Sequence, residues 1–143
     1  MIIRNALWAI FASVAVVLFA APVVGQLEGR VYPVVGAARI EQVHKFEDGW
    51  TYFSMSAFKR RDCNWRATEF FLGKRGDGNV PVAFEHLDRP EVRTVGELFW
   101  PESRVQLTPE QLQNYAHADT SHDCGWWFWL TRTPLYDTPQ IGE

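Results

Sequence analysis

A chain of 143 residues amounts to one domain, and the roughly 115 residues that follow an apolar N-terminal run can bury a real core. Fourteen basic residues against seventeen acidic ones give a net charge of −3, and the Lys and Arg are scattered, which argues against a nucleic-acid partner. Seven Trp and ten Phe favour an all-β domain with large cross-strand pairs.

The first element is the run from Ala6 to Val24, which carries no charge. As a helix it spans about 28 Å, close to the hydrocarbon thickness of a bilayer. Arg4 and the terminal amine precede it, while Glu28 and Arg30 follow. The positive-inside rule therefore keeps the N-terminus cytoplasmic and sends the rest of the chain outward. Residues 1–25 read as a transmembrane signal-anchor. The alternative is a cleaved signal peptide, with Val23-Val24-Gly25 as a small-residue site before Gln26. The run exceeds the usual apolar length of a cleaved leader, about 7–15 residues, which favours the anchor.

Residues 26–37, with Pro33 among them, read as a linker, and residues 38–136 as the domain. Arg39 to Phe46 is a strand, closed by a Glu47-Asp48-Gly49 hairpin turn in which Gly tolerates positive φ. Trp50 to Lys59 alternates, with Trp50, Tyr52 and Phe58 on one face and Phe53, Met55 and Ala57 on the other. Cys63 to Leu72 continues as a strand whose core parity is expected to be Cys63, Trp65, Ala67 and Phe71. After a polar turn at 74–79, Val80 to Phe84 contains Pro81 and reads as an edge strand. Glu97 to Trp100 and Arg104 to Leu107 are two short candidates around Pro101. Thr108-Pro109-Glu110-Gln111 has the cap, the Pro and the Gln of a helix start, which predicts a short helix over Pro109 to Tyr115. A polar connector around Asp119 leads to the last strong strand, Cys124 to Thr133, and a tail at 137–143.

The only two cysteines sit in a repeated pattern, Asp62-Cys63-Asn64-Trp65 and Asp123-Cys124-Gly125-Trp126. In an exported domain an even cysteine count reads as a disulfide framework, so Cys63 and Cys124 are expected to pair. The closed loop of roughly 62 residues corresponds to about 4 kcal/mol in the chain-entropy model. Short, evenly spaced strands argue for an all-β, immunoglobulin-like β-sandwich with one inter-sheet disulfide and a short helix. Trp65 and Trp126 are expected to pack beside the sulfurs. The immunoglobulin pattern is incomplete, because the Trp lies two residues beyond the first Cys.

Lys59-Arg60-Arg61-Asp62-Cys63-Asn64-Trp65, together with His122-Asp123-Cys124, resembles a group of small uncharacterised proteins from proteobacteria and their tailed phages. Those have one N-terminal membrane segment, then a β-rich domain with a Lys-x-Arg-x-Cys stretch and a later His-x-Cys. This chain departs from the group in lacking a Gly before the Lys, with Ser54 and Ser56 nearby instead. The resemblance implies a single-pass protein of the bacterial inner membrane with its domain in the periplasm, or one secreted to the periplasm if the leader is cut. It implies no activity.

Signals for chemistry are sparse. No Ser occupies a nucleophile-elbow context, and the carboxylates are dispersed rather than paired, so an enzyme and a cofactor are not expected. His117, Asp119 and His122 have metal-ligand side chains, but loops of such residues are usually metal-free, which favours a solvated connector. In the strand from Cys124, side chains alternate, so Trp127 and Trp129 point away from the face that carries the disulfide. They become candidates for partner binding unless another segment covers them. Lys59, Arg60 and Arg61 could meet an acidic partner or anionic headgroups, or form a solvated turn. The reading that combines these features is a membrane-tethered periplasmic interaction or structural module, joined to the membrane through residues 6–24. Alternatives are a carbohydrate- or peptidoglycan-binding sandwich using Trp127 and Trp129, and an envelope metal-binding protein.

Overall fold

The computed structural model describes residues 2–76, 79–88, 94–125 and 129–138. Helix α1 (Ile2–Val31) opens the chain, and Ile10–Val31 is long and apolar enough to cross a membrane by length and composition. The helix does not stop at the end of the apolar run at Val24. It continues through Gly25 to Val31, so the first part of the expected linker is helical. Pro33, just past its end, has no N–H to extend the helix.

Eight strands follow: β1 (Arg39–Glu47), β2 (Trp50–Lys59), β3 (Asn64–Leu72), β4 (Val80–Val82), β5 (Phe84–His86), β6 (Gly96–Val105), β7 (Ala116–Asp123) and β8 (Thr131–Asp137). Helix α2 (Pro109–Asn114) lies between β6 and β7. The strands form two antiparallel four-stranded sheets, ordered β1-β2-β6-β5 and β4-β3-β7-β8. Their facing sides share one apolar core in a sandwich-like arrangement. At its centre Phe70 of β3 meets Phe53 of β2 edge to face at 6.1 Å and Phe84 of β5 at 4.5 Å. Met55, Trp100, Val105 and Leu135 are buried around them.

Local signals set several of these elements. Asp48 and Gly49 take positive φ in the β1–β2 turn. At α2, Thr108 Oγ1 accepts from the Gln111 N–H at 3.2 Å and Gln111 Oε1 accepts from the Thr108 N–H at 2.9 Å, a complete capping box. Leu112 then plugs the core. The expected strand at 80–84 is divided: Val80–Val82 forms an edge of the second sheet, and from Phe84 the chain pairs in the first. The two short candidates around Pro101 are one strand, β6, and its pairing with β2 carries a register shift between Phe53 and Met55.

Three expectations are corrected. The core parity of β3 holds at Trp65, which pairs with inward-facing His122, but beyond it Thr68 and Phe70 turn in rather than Ala67 and Phe71. A bulge at Arg66 separates the Trp65–His122 and Ala67–Ser121 pairs, and the inserted residue reverses the alternation, so Phe70 is buried in the core. Trp65 is 49% exposed; it donates Nε1–H to Thr68 Oγ1 and its ring meets that of His86 in a T-shaped contact at 6.2 Å. Next, the polar connector around Asp119 is strand β7, in which Ala116, Ala118, Thr120 and His122 turn inward. The last strand begins at Thr131 instead of Cys124. Finally, the Cys63–Cys124 disulfide forms, but it does not join the two sheets. Asn64 pairs with Asp123 across β3 and β7, so the bond lies one residue beyond that pair, at the end of a single sheet. This departs from the immunoglobulin plan, in which the bond crosses between sheets.

Candidate functional site

A polar cluster lies where α1 meets the domain. Residues 21, 25, 28 and 29 share one face of the helix, and Gly25 and Gly29 are buried there. A Cβ at Gly25 would overlap the Leu130 carbonyl oxygen, and one at Gly29 would overlap that of Arg132. The missing side chains let the helix lie directly on the backbone leading into β8. Between them, the Glu28 carboxylate accepts from Trp129 Nε1–H at 3.1 Å, from the Thr131 hydroxyl at 3.0 Å and from Arg61 Nη2 at 2.8 Å. Arg61 also donates to the Tyr32 carbonyl at 3.0 Å. The half-buried ion pair thus draws α1, the β2–β3 turn and the approach to β8 together.

The sequence candidates divide accordingly. Trp129 is half-buried and hydrogen-bonded to Glu28, so its cover is the continuation of α1. Trp126 and Trp127 lie outside the described residues. Lys59 is 5% exposed, with Nζ 3.8 Å from Asp62, and Arg60 is exposed. The three basic residues therefore do not form one solvated patch.

His117, Asp119 and His122 do not converge. Strand alternation sends His122 inward and His117 and Asp119 to the opposite face. His117 stacks on Phe71 at 5.1 Å, with Nδ1 2.8 Å from the Gly73 carbonyl oxygen. Asp119 is paired with Arg75 and with Arg132, the latter at 2.9 Å, and Arg132 continues to Glu69 at 3.0 Å. These contacts make a cross-strand ionic network on the outer face of β3, β7 and β8. No group of three metal-ligating side chains occurs among the described residues.

A surface that the sequence reading did not single out lies on the outer side of the first sheet. Ser56 pairs with Phe99 and Phe58 with Glu97, which makes Phe58 and Phe99 diagonal neighbours on one face. They are 51% and 57% exposed. Exposed Arg39, Glu41 and Glu97 surround them, and Glu41 accepts from the Ser56 hydroxyl. The signal was the parity of β2: Phe58 falls opposite to Phe53, Met55 and Ala57, which are the core set.

Comparison with protein-family models, curated proteins and solved structures gives no match.

Proposed function

We propose that this is a membrane-tethered, non-catalytic interaction module of a bacterial envelope, with α1 as its retained anchor and the β domain in the periplasm. The observation that carries the reading is the docking of α1 on the domain through Gly25, Glu28 and Gly29. The helix passes unbroken through the point where a leader peptidase would need an extended chain, and Gly25 is packed against Leu130 at that point. The resemblance to the proteobacterial and phage group supports the same placement.

The Phe58–Phe99 face supports the interaction part. An apolar centre ringed by charges of both signs is the usual layout of a protein-binding patch. Photocrosslinking residues placed at 58 and 99 in the full chain, expressed in its native membrane, are expected to give discrete protein adducts. The same label at Asp48, on the β1–β2 turn, should not give them. Identical adduct patterns at all three positions would sink this reading of the face. Mass analysis of the extracted protein should show an intact N-terminal segment, and a chain beginning at Gln26 would remove the anchor.

A further inference from the structure

We propose that the disulfide-bearing end of the β domain rests on the headgroups of the membrane that α1 crosses, with Leu130 and Trp65 as its lipid contacts. The proposal rests on α1 being a membrane anchor and goes beyond it, because a tethered domain could equally stand clear of its bilayer.

The argument is one of level. The apolar run ends at Val24, with Gln26 and Glu28 close behind, and the next residue, Gly25, lies against the Leu130 carbonyl. Leu130 therefore sits where the hydrocarbon ends. Gly29 lies against the Arg132 carbonyl in the same way. Four helical residues advance about 6 Å, and two strand residues advance about 6.6 Å. Helix and strand therefore run side by side in the same direction, and the sheet rises from the membrane along β8. Thr131 pairs with His122, and His122 pairs with Trp65, so these three form one row across the second sheet. That row is one strand residue above Leu130, which puts Trp65 about 3 Å further from the hydrocarbon.

The chemistry of this end suits the headgroup layer. Leu130 is 48% exposed and Trp65 is 49% exposed. A half-exposed Trp, with an apolar ring and an N–H held by Thr68, is at home at a membrane–water boundary. Asn64, Asp62 and the Arg66–Asp123 pair at 2.6 Å lie at the same end. They favour the polar layer over the acyl chains.

The full chain, reconstituted in vesicles of phosphatidylethanolamine and phosphatidylglycerol, tests this. Single cysteines introduced as Leu130→Cys, Trp65→Cys, Asp48→Cys and Val17→Cys carry an environment-sensitive fluorophore, while the native pair stays bonded. Headgroup-attached nitroxide lipid is expected to quench labels at 130 and 65 several-fold more than a label at 48. Mid-chain nitroxide should quench the label at 17. Strong quenching at 17 with 130 and 65 no different from 48 overturns the docking and leaves the anchor standing. No quenching at 17 overturns the anchor, and the docking falls with it. If Trp65→Cys fails to fold, as judged by protease resistance, Leu130→Cys alone decides.

Discussion

His122 is 3% exposed, and its Nδ1 has no hydrogen-bond partner among the described residues. Burial, reinforced by the charges of Lys59 and Arg61, pushes its pKa down from 6.5 to about 4. Above pH 6.5 the ring is neutral in both the folded and unfolded chain. As the pH falls from 6.5 toward 4, the unfolded chain takes up a proton that the folded one cannot, so stability is lost across that window and levels off below it. The loss amounts to about 3 kcal/mol. Denaturant unfolding at pH 7 and at pH 4.5 should show the wild type weakening markedly and His122→Phe weakening less. Equal acid sensitivity in the two proteins would remove His122 as the cause. The sequence showed the histidine but not its burial. His122 is inside because β7 is a strand covered by the other sheet, and the polar run His117 to Asp123 hides that by placing small Ala and Thr at the inward positions. Asp119 was legible in the same limited way. Its side-chain type suggested a ligand, whereas its partners, Arg75 and Arg132, come from distant parts of the chain.

At the scale of elements, α1 and β8 form the contact on which the most depends. A helix glycine normally gains about 1 kcal/mol when replaced by Ala, because the unfolded chain loses freedom. At Gly29 the added methyl meets the fixed Arg132 backbone rather than a yielding side chain. The clash should dominate, so Gly29→Ala is expected to lower the stability of the full chain in detergent by about 1–3 kcal/mol. A gain in the guanidinium midpoint would show that the helix is not seated there. Elements whose signals are local were readable in advance. The Asp48-Gly49 turn and the Thr108–Gln111 capping box are each written within four residues. The bulge at Arg66 is not, because it exists only in the pairing of β3 with β7, and one inserted residue exchanged Phe71 for Phe70 in the core. The aromatic run after Cys124 was expected to open the last strand. Its composition favours a strand; residues 126–128 lie outside the described residues, and β8 runs from Thr131.

For the whole molecule, the Cys63–Cys124 bond closes a loop that contains β3 to β7, with a sequence separation of 61. The double variant Cys63→Ala, Cys124→Ala should lose about 2–5 kcal/mol, read from thermal or guanidinium unfolding of the oxidised and variant proteins. An unchanged midpoint would mean that the β3–β7 register holds that end closed without the bond. That a disulfide would form was legible from two cysteines behind an apolar leader. Its place within one sheet was not, since that depends on which strands become neighbours. The contact of α1 with β8 also bears on how the protein is made. In chain order the helix comes first and its partner strand 103 residues after Glu28. Gly25, Glu28 and Gly29 therefore have no seat until Thr131 and Arg132 have been made. Seating the helix base is a late event in synthesis, whatever the rest of the domain has already formed.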